Sequence, residues 1–65
     1  MATVEILNAD KKPRQDTEMW VFTVNVDGQV GYFTAGFPLG TSEERARRAV
    51  VTALEDNPGD LEGSV

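Results

Sequence analysis

Cysteine and histidine are both missing from this 65-residue chain. The first absence excludes disulfides, thiolate nucleophiles and the usual cysteine-based zinc sites. The second removes the side chain that most often acts as general base and metal ligand near neutral pH. Long apolar runs are lacking too, since no stretch approaches the ~20 residues of a membrane helix. The first residues, MATVEILNAD, hold neither the basic start nor the apolar stretch of an export signal. The expectation is a non-enzymatic protein, without cofactor or metal and off the membrane, with the cytoplasm as its default compartment.

Aromatic residues are few, with one Trp, one Tyr and three Phe, and the core is correspondingly small. A domain of this size rarely gains more than ~3–5 kcal/mol of net stability from its core, so a protein partner or self-association is expected to matter. The net charge is −5, unevenly spread: residues 55–65, EDNPGDLEGSV, hold four acids and no base. Residues 1–54 hold six bases against seven acids. This division suggests a single α+β domain over 1–54 and an acidic, disordered C-terminal tail over 55–65.

Along the body, TVEIL (3–7) alternates as a short strand, and the polar NADKKPRQDT (8–17) reads as a long flexible loop. EMWVFTVNV (18–26) and QVGYFTA (29–35) are rich in β-branched and aromatic residues and flank Asp27-Gly28, a strong signal for a type I′ hairpin. That turn sets a register: Val26 opposite Gln29, Val24 opposite Gly31, Phe22 opposite Phe33 and Trp20 opposite Ala35. The other face then carries Val21, Thr23, Asn25, Val30, Tyr32 and Thr34, a mixed set that nothing left in the chain can cover.

After GFPLG (36–40) breaks the strand, Thr41 is placed to cap a helix, with Glu44 completing a capping box. Ala46, Ala49, Val50, Ala53 and Leu54 form the stripe of an amphipathic helix, which NPG (57–59) ends. The architecture is β-β-β-α, a three-stranded antiparallel sheet with one helix packed on one face. Glu43 and Glu44 suit the first turn of a helix, and Glu44 reaches Arg48 at i+4. Neither argument accounts for Arg45, Arg47 and Arg48 clustering so near the helix start.

The run VFTVNVDGQVGYFTAGFPLGTSEERARRAVVTAL, Val21 to Leu54, resembles the C-terminal two-thirds of a double-stranded-RNA-binding domain. That family shows an F-T-V-like strand, a V-x-G hairpin and G-x-S-K-K-x-A-K before an alanine-rich helix. Gly40, Ser42, Ala46 and Ala49 match it, with Arg47 at its last lysine position. The resemblance implies a truncated version of that fold and a basic surface made of Lys11, Lys12, Arg14, Arg45, Arg47 and Arg48. The chain departs from it at Glu43 and Glu44, which stand where the family carries paired lysines, and in lacking the N-terminal helix. GTSEERA (40–46) is also similar, over a shorter span, to the helix start of HicB-type antitoxins, which implies a small inhibitor or antitoxin of phage or plasmid type.

Other constellations carry less. Asp10, Asp16 and Glu18 lack the glycine hinge and closing glutamate of a calcium loop, and Gly28, Gly31 and Gly36 precede no phosphate-binding helix start. No carboxylate pair stands out for acid–base work. Two functional expectations follow. One is a protein-binding or regulatory module, acting alone or as a dimer through Val21, Val30 and Tyr32 on the open sheet face and Arg45, Arg47 and Arg48 on the helix. The other is a reduced nucleic-acid binder using the six basic residues.

Overall fold

A computed structural model describes residues 2–62. Three strands form one antiparallel sheet in sequence order: β1 (Val4–Pro13), β2 (Thr17–Val26) and β3 (Gln29–Pro38). One helix, α1 (Glu43–Asp56), packs on one face, and a 3-10 turn at Pro58–Asp60 follows it. This is the expected β-β-β-α arrangement of a small α+β domain. The hairpin is as its turn dictates. Asp27 and Gly28 take φ of 53° and 91°, and Val26, Val24, Phe22 and Trp20 pair with Gln29, Gly31, Phe33 and Ala35. The Asn25 side chain accepts the Gly28 N–H at 2.8 Å, which fixes the turn locally.

The segment from Asn8 to Thr17 is not the long loop its polarity suggests. β1 runs through it to Pro13, and only residues 14–16 turn the corner, where the Arg14 N–H donates to the Thr17 carbonyl at 2.8 Å. The strand was hidden by a β-bulge. Ile6 pairs with Val24, but Asn8 pairs with Thr23, so Leu7 is an extra residue and stands exposed. Val4 and Ile6 pack on the core before the bulge and Ala9 after it, so the inward set shifts by one position and period-2 alternation is lost. Deleting Leu7 would leave the same residues facing inward on a regular ladder. That variant is expected to unfold cooperatively within about 1 kcal/mol of the parent in a denaturant melt, as changes outside the core do. Loss of cooperative unfolding would show that the bulge itself is required.

The core is Trp20, Phe22, Val24 and Val26 from β2 against Ala46, Val50 and Leu54 from α1. Phe33, Phe37, Ile6 and Ala9 pack around it. The helix stripe is narrower than expected, with Ala53 half-buried and Ala49 exposed, while Val51 on the other flank is half-buried. Turning toward the larger Val51 removes more apolar area from water than turning toward Ala49. The cap also differs. Ser42, not Thr41, accepts the Arg45 N–H at 3.2 Å. The Thr41 hydroxyl donates instead to the Pro38 carbonyl at 2.6 Å, held in the loop that Gly40 turns at φ 87°. The box therefore does not form, since the third residue after Ser42 is Arg45.

The expected tail is folded as far as it is described. α1 continues through Glu55 to Asp56, and Leu61 packs half-buried against the core. The backbone of Glu62 pairs with that of Tyr32 through two hydrogen bonds of 2.5 and 2.6 Å. One leucine among the acids supplies the anchor that composition concealed. Residues 63–65 of that tail lie outside the described residues.

Candidate functional site

The sheet face opposite α1 is the first candidate surface. Its outward residues fall into four rows across the strands, read from the pairing. They are Glu5–Asn25–Val30, Asn8–Thr23–Tyr32, Asp10–Val21–Thr34 and Lys12–Met19–Gly36. Tyr32 is 43% exposed, and Val21 and Val30 are half-buried. Val30 lies two residues from Tyr32 on the same strand, and Val21 sits diagonally across, within reach of an aromatic ring. The three expected residues thus share one face with Tyr32 between the valines, but Thr23 and Thr34 are interleaved with them. Among the described residues no element covers this face.

The arginines occupy the opposite side of the molecule, because α1 packs on the core face of the sheet. Arg47 donates to Glu43 at 2.9 Å and Arg48 to Glu44 at 3.2 Å. Both are i,i+4 pairs with the glutamate first, the favourable order, each worth ~0.2–0.5 kcal/mol. The arginine cluster that the helix dipole left unexplained is therefore largely neutralised by its own helix. Arg45 has no ion-pair partner among the described residues. Val21, Val30 and Tyr32 cannot share one site with Arg45, Arg47 and Arg48, since the sheet stands between them.

The third locus is one that composition and motifs did not single out. Glu18 is 3% exposed, and its Oε1 accepts the Gly40 N–H at 2.6 Å. Lys11 Nζ lies 3.0 Å from its Oε2 and 5.6 Å from the centre of the Trp20 ring, while Trp20 stacks on Phe22 at 5.8 Å. The carboxyl is held below its ordinary value of 4.5, first by the hydrogen bond from Lys11. The Gly40 and Thr41 backbone N–H groups add to this, and burial pushes the other way. The cluster ties the loop before α1 to the end of the sheet. A signal for it was present: Glu18 falls on the same alternation as Trp20, Phe22, Val24 and Val26.

This arrangement scatters the six basic residues. Lys11 turns to the core face and is paired, Lys12 lies on the open face, and Arg14 is in the turn between β1 and β2. The three acids weighed as a cation site separate likewise: Asp10 on the open face, Asp16 in the turn and Glu18 buried. Among the described residues no group of three or more acids could hold a metal. A depression of about 210 Å³ lies beside the hairpin turn, lined by Thr3, Glu5, Asn25, Asp27 and Gly28. Within it Asp27 takes the Thr3 N–H and Asn25 the Gly28 N–H, each at 2.8 Å, and its lining has none of the large apolar side chains of a small-molecule site. No helix among the described residues is long and apolar enough to cross a membrane. Comparisons with protein families, with curated proteins and with solved structures return no match.

Proposed function

We propose that this chain is a non-enzymatic protein-binding module that docks through the open face of its sheet. The observation that carries the reading is the exposed Tyr32, set between Val21 and Val30 on a face that no described element covers. Tyrosine suits an interface centre because its ring buries a large area and its hydroxyl keeps a polar contact. The interleaved threonines fit too, since the interfaces of separable partners are only about as apolar as ordinary surface. The helix side is the weaker candidate, because Arg47 and Arg48 are already paired with Glu43 and Glu44, which leaves Arg45 alone of its three arginines without an ion pair among the described residues.

A photo-crosslinking residue at position 32, introduced in the cells that produce the protein, is expected to form protein adducts. Val21→Asp in the same chain should abolish them, and a crosslinker at the exposed helix position Thr52 should give none. Adducts from position 52 alone would sink the reading. The nucleic-acid alternative needs the six bases on one surface, and their division among three favours protein over RNA. A duplex RNA of about 20 base pairs, longer than the ~16-pair footprint of the family it resembles, is expected to move no amide resonance of residues 11–14 or 43–48 at low salt. Shifts there that added salt reverses would reinstate RNA binding.

A further inference from the structure

Resting on the sheet-face reading, we propose that the occupant of this face is a second copy of the same chain. The two copies dock face to face about a twofold axis that crosses the strands at right angles near Phe22. Such an axis lays the first of the four rows over the fourth of the other copy, and the second over the third. Glu5 then meets Lys12, and Asp10 meets Asn8. Tyr32 meets Thr34, Val21 meets Thr23, and Val30 meets Gly36 together with the Met19 sulfur, which lies 3.4 Å from where a Gly36 Cβ would stand. Every contact is made twice by symmetry. Sheets packed this way cross at about 30°, as aligned twisted sheets do.

The charges choose between the two face-to-face arrangements. A twofold axis along the strands would put β1 over β3 of the other copy. Glu5 would then press on Val30, Asp10 on Thr34 and Lys12 on Gly36, burying three charges with no counter-charge. The crossing axis pairs Glu5 with Lys12 twice and gives Asp10 a polar neighbour. Three of the chain's acids, Glu55, Asp56 and Asp60, lie off this face, while Glu62, bridged to Tyr32, stands at its β3 edge and stays at the rim of the paired faces, in contact with water.

Three ten-residue strands, spaced ~4.8 Å apart and rising ~3.4 Å per residue, make a face of roughly 480 Å². Two such faces bury on the order of 1,000 Å², the low end for a specific interface. The dimer is therefore weak and concentration-dependent, with dissociation in the micromolar range or above.

Sedimentation equilibrium of the full chain between about 10 μM and about 1 mM tests this range. The parent should associate to a dimer, and Glu5→Lys and Lys12→Glu should each weaken it at least tenfold. Combining the two swaps should restore affinity to within a few-fold of the parent. Both positions are exposed, so each variant should keep the parent's amide spectrum. A dimer that the double swap fails to rescue overturns the proposed axis. A parent monomeric at about 1 mM overturns the self-association, while adducts at position 32 to a different protein would leave the sheet-face reading standing. Absence of both would end that reading as well.

Discussion

Phe22→Ala is expected to leave this chain unfolded at 25 °C. Phe22 is wholly buried, stacks on Trp20 at 5.8 Å and stands opposite Phe33, at the centre of the layer between sheet and helix. Truncating a buried phenylalanine to alanine costs about 3–5 kcal/mol, the lost transfer energy plus the cavity left behind. That equals the whole net stability, about 3–5 kcal/mol, that a core of this size supplies. The Trp20 fluorescence and the dispersion of the amide spectrum should both collapse to unfolded values. A variant that stays dispersed and melts cooperatively would show that the fold does not depend on this layer.

Lys11→Met has the second largest expected effect, despite lying on a strand that is half in water. Methionine keeps an unbranched apolar stem near Trp20 but strands the buried Glu18 carboxylate without its counter-charge. Breaking a buried pair from the exposed side costs far more than breaking a surface pair, because the remaining charge stays desolvated. The fall in melting temperature should be several times that of Arg47→Ala, which loses only an exposed i,i+4 pair. Glu18→Gln should cost less than Lys11→Met, since the lysine left behind is 48% exposed and can return to water.

The pair also sets a pH dependence. Glu18 binds its proton less readily in the folded state than at the ordinary value of 4.5. Its contribution is therefore fully present above that value and is lost as pH falls through the lowered folded one. In Lys11→Met the carboxyl loses the largest cause of that lowering. The gap between parent and variant should be widest at neutral pH and should shrink below about pH 4.5, as protonation removes the stranded charge. A gap that stays constant from pH 7 to pH 3 would mean that charge at Glu18 is not what Lys11 supports.

What could be read ahead of the structure was what local chemistry decides. Asp27-Gly28 fixes its turn within four residues, and period-2 alternation then carries the register along β2 and β3. The same alternation placed Tyr32, Val21 and Val30 on one face. Carried back to the first residue of EMWVFTVNV, it puts Glu18 on the core face, though its charge grouped it only with Asp10 and Asp16 as a cation site. What escaped depends on partners far away in the chain. The bulge at Leu7 exists only because Ile6 and Asn8 pair with adjacent residues of β2. Lys11 faces Glu18 only because of that bulge, so the loop reading of residues 8–17 and the loss of Lys11 from the basic surface have one cause. Thr41 and Ser42 are both good caps by type, and the choice fell to the Pro38 carbonyl that holds Thr41. At the C-terminal end, the outcome turned on Leu61, a single apolar residue in an acidic run.

The central claim is that the open sheet face is the docking surface, first of all for the chain itself. The most direct measurement is a residue-resolved amide spectrum of the isotope-labelled protein at about 20 μM and about 1 mM, concentrations that bracket a weak dimer. The account predicts shifts at Val21, Thr23, Val30, Tyr32 and Thr34, with Arg45, Arg48 and Thr52 on the outer surface of α1 unmoved. Shifts confined to that helix surface, with the sheet residues silent, would contradict it.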